Sequence, residues 1–173
     1  MRQRIEIYWQ RECEDRLPEV METVRRHFPM LEPVRAEERR PKVTAYDPSR
    51  YQYDAAELLR GIPGEGLCLY LVKGDLYYPG YRYLYGAAAE GVAVVSDFRP
   101  DTEEGFRKEI CHEIGHALGL PHCRKDCVMH VARSERELEH KSGEFCSHCR
   151  KMLERPAGLR KNKRVGIEEV NVS

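Results

Sequence analysis

Polar and apolar positions divide the chain into two unlike parts. "RIEIYWQ" has strand composition, and Leu17, Val20, Met21, Val24 and Phe28 then recur at helical spacing until Pro29 stops them. A second pair is expected next. Val34 and Val43 flank a charged turn, and "DPSRYQYDAAELLRGIPG" offers Asp47 as N-cap, Pro48 at the first helical position and a Gly/Pro stop. "GLCLYLVKG" is apolar nearly throughout, as an interior strand is, and "RYLYGAAAEGVAVVSDF" holds two further strand-like runs around a turn of small residues. Past residue 98 the strand signals stop, and helix, loop and cysteine remain. The expected class is α+β: one domain over 1–173, with a sheet-and-helix part over 1–119, a small irregular part over 120–155 and a solvated tail over 156–173. A site is expected in the cleft between the first two parts.

Composition narrows the partners. The 173 residues carry 29 basic and 29 acidic side chains, so no net field recruits nucleic acid or an anionic membrane. The N-terminus lacks an apolar core of signal-peptide length, and nowhere do eighteen apolar residues follow one another. A soluble, cytoplasmic monomer is expected. Seven cysteines in a reducing compartment, four of them closely paired, then point to metal in preference to disulfides.

The densest chemistry lies in "EICHEIGHALGLPHCRKDCVMH". The helix beginning at "DTEEGF" has Asp101 as cap with Glu104 three positions on, the pattern of a capping box. Phe106, Ile110, Ile114, Ala117 and Leu118 form its apolar stripe, which places His112 and His116 roughly opposite, facing a cleft. Four residues apart, the two imidazoles stand one turn above each other and can offer nitrogens to one ion. Gly119 ends the helix where positive φ is needed, Pro121 prevents its resumption, and the chain doubles back to bring His122 as a third ligand. Three neutral imidazoles leave one corner of tetrahedral zinc open to water, as in a catalytic site, and the Glu113 carboxylate can reach that water as general base.

Cys123 and Cys127 at C-x3-C, with Cys146 and Cys149 at C-x2-C, match a closed, structural zinc site of four thiolates. Two zinc ions are therefore expected. Because His122 and Cys123 are neighbours, losing the thiolate zinc should misplace the third histidine.

"HEIGHALGLPH" has the extended pattern of the metzincin zinc peptidases, whose other signature is a methionine-containing turn. Together with Cys127, Met129 and "CSHC", it resembles the archaemetzincins, a metzincin family with a second zinc on four cysteines. The likeness covers 109–150. It departs in having three residues between the first two cysteines where the family usually has four, which bears on the loop geometry and not on the ligand set. The resemblance implies a mixed twisted sheet with a backing helix and an active-site helix, a small zinc-stabilised C-terminal part, and Met129 as the methionine of the turn. It also implies a zinc endopeptidase or aminopeptidase-like hydrolase acting on a peptide or protein. Two other readings stay open: an interaction module with an inactive histidine site, and a small-molecule amidase.

The remaining conspicuous residues read as structure. His130 stands next to Met129 when three ligands are already in hand, while Cys68 and Cys111 read as core and Cys13 is unassigned. Tyr81, Tyr83 and Tyr85 alternate onto one strand face, for sheet packing or as a substrate rim. "ARSERELEHKSG" reads as a solvated helix.

Overall fold

A computed structural model describes residues 1–155 and 171–172. Strand β1 (Gln3–Trp9) is followed by a 3-10 turn over Arg11–Arg16 and by helix α1 (Leu17–His27), then β2 (Leu31–Glu38). β1 and β2 pair in parallel, so the chain must cross back between them, and α1 is that crossover. Its Leu17, Val20 and Val24 are buried at the spacing read from the sequence.

The next segment departs from expectation. Val43 lies in a 3-10 turn (Val43–Ala45) and is exposed, and "YDPSRYQYD" forms the short strands β3 (Tyr46–Asp47) and β4 (Gln52–Asp54). Asp47 does not cap a helix; its carboxylate accepts from the backbone N–H and hydroxyl of Ser49 within the turn. Helix α2 (Ala55–Arg60) starts seven residues later on Asp54, whose Oδ1 accepts from Ala56 and Glu57. Both aspartates have cap chemistry, and the strand pairing of Tyr46 with Tyr53 decides between them.

β5 (Leu67–Val72) is buried at every position and lies in parallel between β1 and a later strand, as its apolar run requires. After β6 (Leu76–Tyr78) and β7 (Tyr81–Leu84) come β8 (Gly86–Ala89) and β9 (Val92–Ser96), an antiparallel hairpin closed at Gly91 with φ +78°. Then follow helices α3 (Glu103–Ala117), α4 (Glu135–His140) and α5 (Ser147–Glu154), and strand β10 (Asn171–Val172).

The larger sheet runs β10-β8-β9-β5-β1-β2 and the smaller β3-β4-β6-β7, an α+β arrangement of mixed sheets. β10 corrects the expectation that strands end at residue 98: it pairs antiparallel with β8, Asn171 opposite Ala88 and Val172 opposite Ala87. The rest of the expected tail, 156–170 and residue 173, lies outside the described residues.

One face of the large sheet carries α1 and α3, with Ile5, Ile7, Leu69 and Leu71 against Val24, Phe28, Phe106 and Ile110. Val128, Met129, Phe145 and Cys149 join this same cluster, so the residues after Gly119 close onto the core instead of standing apart from it. Phe28 and Phe145 meet edge to face at 5.3 Å. The other face packs α2 against Tyr70, Val72 and Val94.

Candidate functional site

Helix α3 is capped one residue later than its sequence implies. Thr102, with φ −127° and ψ 153°, accepts from the Gly105 N–H through Oγ1 at 3.0 Å. This cap puts glycine three positions on, so Glu104 completes no capping box. The Asp101 N–H is used elsewhere, donating to Glu135 Oε1.

From Gly105 to Ala117 every α3 residue except Arg107 is buried. The stripe of Phe106, Ile110, Ile114 and Ala117 faces the sheet as expected, with Cys111 beside it. The opposite side, expected to look into an open cleft, is also covered: His112 and Glu113 are 0 % exposed and His116 3 %. The covering segment is the loop after Gly119, which has φ +97°, and only His122 reaches solvent.

Burial forces each imidazole to find partners. His112 Nδ1 lies 2.8 Å from Val128 O and His116 Nδ1 2.8 Å from Leu120 O. A carbonyl only accepts, so each Nδ1 carries the ring hydrogen and each Nε2 presents a lone pair. These two Nε2 atoms stand 3.1 Å apart. Two lone pairs so close suit a shared cation, since tetrahedral zinc with Zn–N of about 2.0–2.1 Å holds its nitrogens about 3.3 Å apart. His122 completes the group: its ring centroid is 4.5 Å from His116 and 5.4 Å from His112, and ring nitrogens of all three lie within 4.8 Å of one another. Burial pushes the His112 imidazole well below its ordinary pKa, with the Lys141 charge adding to it, and lowers His116 to about 4. His122 is lowered too, again first by burial. All three are neutral near pH 7, the form that ligates.

Glu113 packs against the start of β8. A Cβ built on Gly86 would lie 2.7 Å from Glu113 Cγ, so the missing side chain makes room for this carboxylate. The Gly91 N–H donates to Ala117 O, which ties the β8–β9 hairpin to the end of α3.

Cys123, Cys127, Cys146 and Cys149 form the second group, their sulfurs all within 4.8 Å of one another and none in a disulfide. Cys123 and Cys146 Sγ are 3.9 Å apart, close to the roughly 3.8 Å that Zn–S bonds of about 2.3 Å impose on a tetrahedron. Cys146 caps α5, and its thiol is drawn down to about 7, first by the Cys149 backbone N–H; burial pushes Cys127 and Cys149 up. Cys127 Sγ accepts from the Met129 and Cys146 N–H groups, which partly offset the effect of burial on this sulfur.

Met129 joins the two groups. Its Sδ is 2.5 Å from where a Gly115 Cβ would stand, between the two helical histidines, and its backbone O accepts from Cys123 N. His130 is exposed, outside both groups. Cys13 and Cys68 are core residues. The tyrosine row does not act as one face: Tyr85 lies beyond β7, buried, with its hydroxyl donating to Glu135, whereas Tyr81 is exposed beside Tyr78.

Sequence reasoning missed Gly86, Glu109 and Lys141. Glu109 precedes His112 by three positions on α3, a signal that was available. Lys141 had none, standing 29 residues from its histidine. It follows α4, which is solvated as expected at Arg136, Glu137, Glu139 and His140, but which also buries Leu138 fully and bonds Asp101 and Tyr85 through Glu135.

A profile described as peptidase family M54 matches residues 19–155. An archaemetzincin of Methanopyrus kandleri is 40% identical over 137 residues, spanning 70% of this chain and 78% of its own. One of Archaeoglobus fulgidus is 38% identical over 112 residues, spanning 60% and 70%. Crystal structures of archaemetzincins agree in fold. That from A. fulgidus, complexed with malonate, gives a TM-score of 0.78 at 28% identity over 86% of this chain and 98% of that one. That from M. kandleri gives 0.77 at 30% identity over 89% and 94%. The chain belongs to peptidase family M54, the archaemetzincins.

Proposed function

We propose that this chain hydrolyses peptide bonds at a zinc ion held by His112, His116 and His122, with Glu113 as general base, and that a second, structural zinc is held by Cys123, Cys127, Cys146 and Cys149. The observation that carries the reading is the approach of two hydrogen-free Nε2 atoms to 3.1 Å, with a third imidazole alongside. When bound there, zinc supplies a Lewis acid that polarises the scissile carbonyl and acidifies a water to about pKa 7.

The chain's own residues do the rest. Val128 O and Leu120 O fix the rings, so ligand nitrogens need not reorganise. Glu113, next in the chain to His112, takes the proton from the attacking water and returns it to the leaving amine. The exposed side of His122 is the open side of the site. An extended peptide is accepted along β8, which begins at Gly86 beside Glu113, in place of the two-residue pairing that β10 makes there at Ala87 and Ala88.

The test is metal counting combined with a peptide-library digest of wild type and Glu113→Gln. Two zinc ions per chain are expected in both proteins, with cleavage by the variant lower by about 10²- to 10⁴-fold. Equal cleavage removes Glu113 as the base. Peptides of increasing length on each side of the cut separate an endopeptidase from an aminopeptidase.

A further inference from the structure

Behind the histidine ligands lies a buried ion pair that the proposed reaction does not use. Lys141 Nζ is 3.3 Å from Glu109 Oε1, with side chains 4 % and 0 % exposed. The same nitrogen donates to His130 O at 3.1 Å and stands 3.4 Å from His112 Nδ1. Buried charges of this kind are costly unless they are paired, and pairing alone is weak evidence of net stabilisation. The position of the pair is more informative than its energy.

We infer that Lys141 is a positioning residue for the imidazole site: by engaging Glu109 it leaves His112 Nδ1 to Val128 O, and so keeps the Nε2 of that ring turned toward His116. The inference rests on the reading that these imidazoles hold metal. Its argument is one of competition between acceptors. His112 has a single Nδ1–H, and a carboxylate accepts that hydrogen more strongly than a carbonyl does. Glu109 Oε1 lies 3.3 Å and His112 Nδ1 3.4 Å from the same lysine nitrogen, so the ammonium is the neighbour that carboxylate and ring share, and removing it leaves that carboxylate as an acceptor on the ring's side of α3. With Lys141 in place the carboxylate is engaged by a cation and the hydrogen goes to Val128 O at 2.8 Å. Without it, the ring turns toward Glu109 and Nε2 leaves the shared point.

Lys141 is itself held firmly. Its backbone N–H donates to Glu137 O, and Lys108 Nζ, from α3, donates to Leu138 O and Glu139 O. The ammonium also bonds His130 O, and Cys146 lies five residues further along the chain. One side chain thus spans α3, the turn that carries Met129 and the segment leading into the thiolate cluster.

The test uses cobalt as a spectroscopic substitute for zinc in wild type, Lys141→Met, Lys141→Arg and the double variant Glu109→Gln, Lys141→Met. The sulfur-to-cobalt charge-transfer band reports the thiolate site, and thereby folding, separately from the imidazole site. Lys141→Met is expected to keep that band and to bind metal at the imidazoles 10- to 100-fold more weakly, the usual size of an outer-sphere effect. The arginine variant, which keeps the charge, recovers part of this. The double variant recovers most of it, because a neutral amide no longer draws the ring, and it serves as the measure if Lys141→Met alone does not fold. A folded Lys141→Met of wild-type affinity, or a folded double variant as weak as the single one, overturns the inference. Wild type that takes up cobalt at sulfur only would instead overturn the imidazole metal site itself.

Discussion

At Gly86 the chain cannot carry a side chain without moving something essential. A Cβ there would stand 2.7 Å from Glu113 Cγ and 2.7 Å from Val94 O, and the second neighbour is backbone that cannot turn aside. Gly86→Ala is expected to cost about 1–3 kcal/mol of stability, as overpacking does. It should also reduce kcat by up to about a hundredfold if Glu113 is the base proposed above, because a displaced base loses its geometry. Thermal unfolding and peptide hydrolysis on one preparation check both; full activity at reduced stability would show that Glu113 tolerates displacement. His116 gives a pH dependence at the same scale. Its folded pKa, about 4, lies below the ordinary 6.5, so between these values the unfolded chain binds the extra proton. Stability of the chelator-treated protein should therefore rise with pH from about 4 to 6.5 and fall as the protein is acidified through that window. Urea midpoints across pH 4–7 measure it, and a flat profile would contradict the burial of this ring.

Helix α3 shows how far the chain could be read in advance. Its apolar stripe, the four-residue spacing of His112 and His116 and the reversal at Gly119 all depend on local geometry, and local geometry is what a sequence displays. The choice of Thr102 over Asp101 and of Asp54 over Asp47 was not legible, because in each pair both residues can cap and distant partners bear on the outcome: the Glu135 carboxylate on the Asp101 N–H in the first, the Tyr46–Tyr53 strand pairing in the second. Lys141 was invisible for a related reason: no periodicity links it to a helix 29 residues away. The loop from Cys123 to Met129 permits a test at this scale. Cys123 N donates to Met129 O, and Cys127 Sγ accepts from both Met129 N and Cys146 N, so the cysteine cluster and the bend carrying His122 share one framework. Cys146→Ser is expected to lose the proposed sulfur-bound ion and, with it, at least about tenfold of imidazole-site affinity, since metal binding at a closed thiolate site is also folding free energy. Elemental analysis and hydrolysis follow the two losses; a variant with one zinc and undiminished cleavage would uncouple the sites.

In the molecule as a whole, the large sheet separates two apolar layers, and α3 is held between that sheet and the loops that follow it. The division at Gly119 read from composition marks a change in secondary structure, yet Phe28 packs on Phe145 and Val128 on the common core across it. No helix among the described residues is long and apolar enough to cross a membrane. The sheet's last strand has a further consequence. β10 already fills the hydrogen-bonding margin of β8 at Ala87 and Ala88, running antiparallel and toward Gly86. A peptide seeking that margin meets a tenant, and the two-residue ladder is short enough to be evicted at modest cost. Replacing both Asn171 and Val172 by proline, which has no N–H to give, should lower KM several-fold and leave kcat as it was. An unmoved KM would mean that substrate settles elsewhere along the rim. Otherwise the apparent affinity for a peptide is set partly by Asn171 and Val172, a strand of the chain itself.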